Sequence, residues 1–177
     1  MREPLASLAR ADLFIISRSN QVDLATLELV EAALHEHAPD AAVLRAALEP
    51  EALVHLDGRV EDAGALGYHC VLPVCGIGNP ATFLRSVEQL AGRVCEGLVF
   101  RDHQRYTYNR VNAIAATAQC RGADLVVTTR KDWVKLAPLW PAAGVGPALA
   151  RLDVRLELQD EAGVFDEQLQ HALERTE

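Results

Sequence analysis

The chain has 177 residues, half of them hydrophobic and 24% charged, with a formal net charge of -8 at pH 7. That length allows a real core and usually means one domain. The acidic balance argues against a general nucleic-acid binder or a protein held to anionic membranes by charge alone. No signal-peptide pattern and no run of about 18 apolar residues is seen, so no segment reads as a membrane span.

Asp12–Ser17 is a short continuous apolar run, the pattern of a buried parallel strand. From Val22 to about His37, residues Leu24, Leu27, Val30, Ala33 and Leu34 fall at helical spacing, with Asp23 or Asn20 as the cap and Pro39 as the stop. Ala41–Leu48 reads as a second strand. Residues 49–67 read as an irregular connection or a hairpin, with Asp57-Gly58 as its turn. Tyr68–Cys75 is a strand that Pro73 predicts to be interrupted or at a sheet edge. Phe83, Leu84, Val87 and Leu90 mark a helix, and Arg93–Phe100 a further strand. A helix from about Asn109 to Cys120 turns Val111, Ile114, Ala115 and Ala118 inward and stops at Gly122. Ala123–Thr128 is a strand, Thr129 opens a helix reaching Leu139, Leu152–Leu158 alternates as a half-exposed edge strand, and Asp166–Glu174 closes the chain as a helix. Strand and helix alternate throughout. The expected architecture is therefore a single three-layer α/β domain over residues 1–177, with a mostly parallel sheet flanked by helices.

Cys70, Cys75, Cys95 and Cys120 contain no Cys-x-x-Cys pair, and His69 beside them lacks the spacing of a zinc site. They read as buried thiols. His55 and His69 sit inside apolar patterns and read as satisfied core or edge histidines.

Three polar loops follow strands and would gather at one edge of a parallel sheet, where α/β folds hold their ligands. In Cys75-Gly76-Ile77-Gly78-Asn79-Pro80, the glycines allow tight or positive-φ backbone, while Asn79 suits a helix cap and Pro80 its first turn. Free amides at such a helix start can hold phosphate, but a structural turn explains the stretch as well. Phe100 to Thr107 carries Asp102-His103 between Arg101 and Arg105. Histidine is the natural proton handler, with an ordinary pKa of about 6.5, and the arginines suit phosphate or carboxylate. Thr129-Arg130-Lys131-Asp132 resembles a capping box, and Lys131 and Lys135 share a helix face as a solvated pair or a phosphate contact. No Gly-x-x-x-x-Gly-Lys-Ser/Thr phosphate cradle occurs in the 177 residues.

Taken in order, Arg2-Glu3-Pro4-Leu5, Gly76 to Pro80, Phe100 to His103 with Tyr106-Thr107, and Thr128 to Leu136 resemble motifs of the tetraacyldisaccharide 4'-kinase family. The resemblance runs from the first residues to about Leu158. It implies a fold similar to the C-terminal half of a P-loop-type kinase. It implies transfer of the γ-phosphate of ATP, with Mg2+, to the 4'-hydroxyl of the lipid A disaccharide precursor. It also implies a peripheral enzyme on the cytoplasmic face of the inner membrane, with no nucleic-acid partner.

By the same resemblance, Asp102 and His103 are catalytic, His103 in support of an aspartate from the family's N-terminal half. Gly76, Gly78, Asn79, Thr129 and Lys131 shape the substrate or phosphate site, and Glu3 belongs to the metal region. Arg130 stands where many members carry Glu, and Arg101 replaces a common Pro. The family's Walker A loop, acidic magnesium motif and membrane helix lie upstream of Arg-Glu-Pro. The expectation is thus a C-terminal portion of the enzyme, inactive alone and prone to self-association through an uncovered face. The alternative is a non-catalytic α/β domain that binds an anionic or phosphorylated ligand through the same loops.

Overall fold

The computed structural model describes residues 3–141 and 146–174. They belong to two compact units, one of Met1–Glu49 with Arg155–Glu177 and one of Pro50–Val154. The architecture is the expected α/β type, with a mostly parallel sheet flanked by helices.

In the first unit, β1 (Leu13–Ser17) pairs in parallel with the start of β2 (Ala42–His55), Leu13 facing Ala42 and Ser17 facing Ala46. The connection is α1 (Leu24–His37), capped by the Asp23 carboxylate, which accepts the Thr26 N–H at 2.8 Å. Asn20, the other candidate cap, instead donates to the Leu48 carbonyl at 3.1 Å. Of the apolar residues expected to face inward from α1, only Leu27 is buried, while Leu24 and Val30 are exposed. Helical spacing produces an apolar stripe without supplying a partner for it. Helix α5 (Val164–Glu174) starts where Asp160 accepts the N–H groups of Val164 and Phe165 at 2.8 and 2.7 Å.

The second unit contains the end of β2, then β3 (Val60–Asp62), β4 (Cys70–Cys75), β5 (Arg93–Val94), β6 (Leu98–Val99), β7 (Leu125–Thr129) and the start of β8 (Ala148–Gln159). Strand order is β2-β8-β7-β4-β5, with β3 antiparallel on β2 and β6 also on β4. The pairs β8–β7, β7–β4, β4–β5 and β4–β6 are all parallel. One face packs Val71, Cys75, Leu125 and Val127 against Phe83 and Val87 of α2 (Pro80–Leu90). The other packs Leu72, Val74 and Val126 against Val111, Ile114 and Ala118 of α3 (Tyr108–Cys120) and Leu136 of α4 (Arg130–Leu136). These strands therefore read as unbroken apolar runs because both faces are covered.

Several expectations change in detail. β2 continues through Pro50 to His55 and turns at Gly58, φ 89°, into β3, so the hairpin is real but the strand before it is longer. β4 is uninterrupted and lies inside the sheet, and its neighbour is what breaks, into β5 and β6. The carbonyls of Val71 and Cys75 accept from Cys95 and Phe100 on that side, each at 2.8 Å. Alternation turns Pro73 to the same side, over the gap, so its missing N–H removes no ladder bond. β8 is no edge strand in this unit, since it lies between β7 and β2. Its sequence alternation is not a burial alternation either, because Leu152 is buried but Val154 and Leu156 are exposed. Cys75 and Cys95 are buried and Cys70 is partly so, but Cys120 is exposed at the end of α3. His55 is buried against Glu61 at 2.6 Å and His69 pairs with Asp124, as satisfied histidines.

Candidate functional site

The loops after β4, β6 and β7 leave the carboxyl ends of parallel strands, so they emerge at one edge of the second unit's sheet. One side chain touches all three. Asp132, fully buried in the first turn of α4, accepts the Gly76 N–H at 2.7 Å, the Thr129 hydroxyl at 3.0 Å and the Tyr106 hydroxyl at 3.3 Å. Thr129 is also the cap of α4, its oxygen accepting the Asp132 N–H at 3.2 Å. The expected Thr-to-Asp cap thus forms, and the carboxylate goes further than a cap requires.

Gly76 is needed for closeness. A Cβ there would lie 3.1 Å from the Arg101 carbonyl, 3.2 Å from Asp132 Oδ1 and 3.3 Å from Gln104 Cβ. At Gly78 a Cβ would meet only Asp102 Oδ2, at an ordinary 3.8 Å. Neither uses positive φ; among the described glycines Gly58, Gly122 and Gly163 do. Asn79 stands at the cap position of α2, but its side chain accepts no helix N–H and donates instead to the Thr82 hydroxyl at 3.1 Å.

The Asp102-His103 loop is held from α4. Lys131 Nζ donates to Asp102 Oδ1 at 2.6 Å, and Lys135 Nζ donates to the Gln104 carbonyl at 3.3 Å. The two lysines are therefore loop contacts rather than a solvated pair. Asp102 Oδ1 also accepts the His103 N–H at 2.9 Å. The ring Nε2 lies 3.8 Å from Asp102 Oδ2, beyond hydrogen-bond reach, so Asp102 fixes the backbone of His103 rather than its imidazole. His103 has φ 59°, left-handed backbone that costs a residue with a Cβ about 1 kcal/mol. The ring is 82% exposed.

The electrostatics follow from these contacts. The bond from Lys131 holds the Asp102 carboxyl below its ordinary range. Burial, then the charge of Asp132, pushes the Cys75 thiol up to about 11 and the Tyr106 phenol above its usual value. Arg101 and Arg105 are exposed, with no carboxylate partner among the described residues, and Arg110 lies 5.6 Å over the Phe100 ring. An exposed imidazole beside a carboxylate–ammonium pair and two unpaired guanidinium groups can exchange a proton and attract an anion.

Asp102, His103, Gly76, Gly78, Thr129 and Lys131 thus share one region of the second unit, and Asn79 begins the adjoining helix. Thr129 and Lys131 are engaged within the protein, Thr129 to Asp132 and Lys131 to Asp102. Glu3 belongs to the first unit, where its carboxylate pairs with Arg10 at 2.6 Å. Among the described residues no three or more His, Cys, Asp or Glu side chains come together as a possible metal cluster. Asp132 and Tyr106 lie in the matched motifs, Asp132 in the Thr129–Asp132 segment that the resemblance gives a site-shaping role, but neither is singled out by the sequence. By spacing alone Thr-x-x-Asp points to a cap, and nothing local marks a carboxylate that reaches residues 56 and 26 positions away.

A family model described as LpxK, tetraacyldisaccharide-1-P 4'-kinase, matches residues 1–174. The tetraacyldisaccharide 4'-kinase of Anaeromyxobacter dehalogenans strain 2CP-C is 36% identical over 159 residues, covering 88% of this chain and 41% of the relative. That of Halothermothrix orenii is 31% identical over 150 residues, 77% of this chain and 38% of the relative. The chain spans less than half the length of these curated relatives. A solved structure described as an "apo" form of LpxK from Aquifex aeolicus in complex with ATP aligns with a TM-score of 0.56 and 21% identity, over 99% of this chain and 45% of that one. That likeness bears on the fold.

Proposed function

Because the chain belongs to the tetraacyldisaccharide-1-P 4'-kinase family, we propose that its three loops are part of the active site of an enzyme that phosphorylates the 4'-hydroxyl of the tetraacylated lipid A disaccharide precursor. The phosphate donor is ATP. The observation that carries this reading is the meeting of the Gly76, Asp102-His103 and Thr129 loops, which resemble the family's motifs in order, around one buried carboxylate. His103 is the proton-handling group. Its backbone conformation and the bond from its N–H to Asp102 hold it outward, where a substrate hydroxyl can reach it. Arg101 and Arg105 add positive charge for the phosphate groups in play.

Mg2+ accompanies the donor in this proposal. By resemblance Glu3 belongs to the metal region, its carboxylate is paired with Arg10, and no step is assigned to the metal. The enzyme works at the cytoplasmic face of the inner membrane as a peripheral protein. Among the described residues no helix is long and apolar enough to cross a membrane.

The exposed Arg101 and Arg105, without a carboxylate partner among the described residues, equally suit a non-catalytic domain that binds an anionic ligand. A chimera separates the two readings. These 177 residues replace the matching stretch of the Anaeromyxobacter dehalogenans kinase, and transfer of labelled phosphate from ATP to tetraacyldisaccharide 1-phosphate is measured. The kinase reading expects product. A folded chimera that binds ATP and the disaccharide yet forms none favours the non-catalytic domain.

A further inference from the structure

Asp132 is the one buried carboxylate among the described residues, fully shielded from solvent. A buried charge is costly unless hydrogen bonds compensate it. A helix cap does not require it, since the Thr129 oxygen already accepts the Asp132 N–H. In an ordinary capping box the acidic side chain turns back to the N–H of the cap residue. Here it accepts from Gly76, in the loop after β4, and from Tyr106, in the loop after β6. The Thr129 hydroxyl donates to the same Oδ2 as Gly76, which fixes the orientation of the carboxylate.

The contacts next to it follow one plan. Lys131 holds Asp102, Asp132 holds Tyr106, and Lys135 holds the Gln104 carbonyl. Residues 131, 132 and 135 of α4 therefore bind residues 102, 106 and 104 of the loop, with His103 inside the clasped segment. On the other side a Cβ at Gly76 would sit in tight contact with the Arg101 carbonyl and Gln104, at 3.1 and 3.3 Å, so the clasped loop packs closely on the β4 loop.

We propose that Asp132 is a positioning residue for the 4'-kinase reaction, tying the Gly76 loop, the Asp102-His103 loop and α4 into one unit that presents His103 at a fixed place. The proposal rests on the kinase reading for its link to catalysis, but its structural content stands apart from activity. Asp132 touches neither His103 nor any substrate, so its effect is transmitted through Tyr106 and through the placement of Lys131 on Asp102.

The test uses Asp132→Asn and Tyr106→Phe in the protein labelled with 15N-histidine, the His103 signal being assigned with His103→Gln. Asparagine keeps the shape and one acceptor oxygen but loses the charge, and phenylalanine removes a single hydroxyl. The expected result is that the His103 ring signal moves or splits in both variants, while those of His35, His37 and His171 stay in place. In parallel, in the chimera that carries these residues, kcat falls roughly tenfold with Asp132→Asn and a few-fold with Tyr106→Phe, with KM changed less than about twofold, as for a group that acts on the transition state. The double variant costs no more than Asp132→Asn alone, because both changes break one connection. An unchanged His103 signal in a folded Asp132→Asn protein overturns the proposal, and if that variant does not fold, an unchanged signal in Tyr106→Phe does so. A folded chimera that binds ATP and the disaccharide yet transfers no phosphate refutes the kinase reading instead, and the His103 signal alone then decides the role of Asp132.

Discussion

Lys131 and Asp102 form a contact whose consequence can be measured. The ammonium lies 2.6 Å from Asp102 Oδ1 and lowers the carboxyl pKa below its ordinary 3.8. A depressed carboxylate contributes stability that is complete above its unfolded value and is lost as pH falls through its native value. In Lys131→Met the Asp102 carboxyl, followed by 13C NMR, should titrate closer to 3.8, and this part of the acid-side loss should disappear. An unmoved titration would show that the ion pair is not formed in solution. Cys75 works in the opposite sense. Its thiol is raised from 9.0 to about 11, so the native state keeps a proton that the unfolded chain gives up in that window. The stability it contributes is complete below 9.0 and is lost as pH rises through about 11. Near neutral pH an aromatic disulfide reagent should modify exposed Cys120 quickly and leave Cys75 untouched until the protein unfolds. Fast labelling of Cys75 would contradict its burial. At this scale Asp102, His103 and the glycine loop were legible because their residue types carry chemistry. The contacts of Asp132 were not, because its donors Gly76 and Tyr106 are distant in sequence.

Among elements, α3 was the easiest to read. Val111, Ile114, Ala115 and Ala118 are all buried as the spacing requires. Its end is a full αL stop, with Gly122 at φ 70°, the Gly122 N–H on the Gln119 carbonyl and the Ala123 N–H on the Ala118 carbonyl. Helix α1 had an equally regular stripe and buries only Leu27, so periodicity identified the helix but not its surroundings. Pro73 misled for a physical reason. A proline excludes a ladder bond on one side only, and here that side faces the gap between β5 and β6. Gly97 occupies this gap. A Cβ on it would lie 2.9 Å from Leu84 Cδ2, 3.1 Å from Pro73 Cγ and 3.3 Å from the Pro73 carbonyl oxygen. Gly97→Ala should therefore destabilise the fold by about 1–3 kcal/mol, as overpacking does, and lower the urea midpoint without changing the slope. An unshifted midpoint would mean that the gap is looser than these distances.

For the whole molecule, the alternation of strand and helix led correctly to an α/β fold with parallel strands, and parallel strands bring successive loops to one edge. By that rule loops 26 to 56 residues apart are expected to meet from the sequence alone. The way they meet, around a buried carboxylate clasped from α4, depends on tertiary contacts that local patterns do not encode. The family match over residues 1–174 makes phosphate transfer the central claim, with His103 as its proton-handling group. The most direct measurement is transfer of labelled phosphate from ATP to tetraacyldisaccharide 1-phosphate by the chimera that carries these 177 residues and by the same chimera with His103→Ala, at equal folded concentration. The account predicts product from the first and a loss of about 10²-fold or more in kcat in the second, the size expected for removing a proton-transfer group. Undiminished turnover in His103→Ala would contradict it.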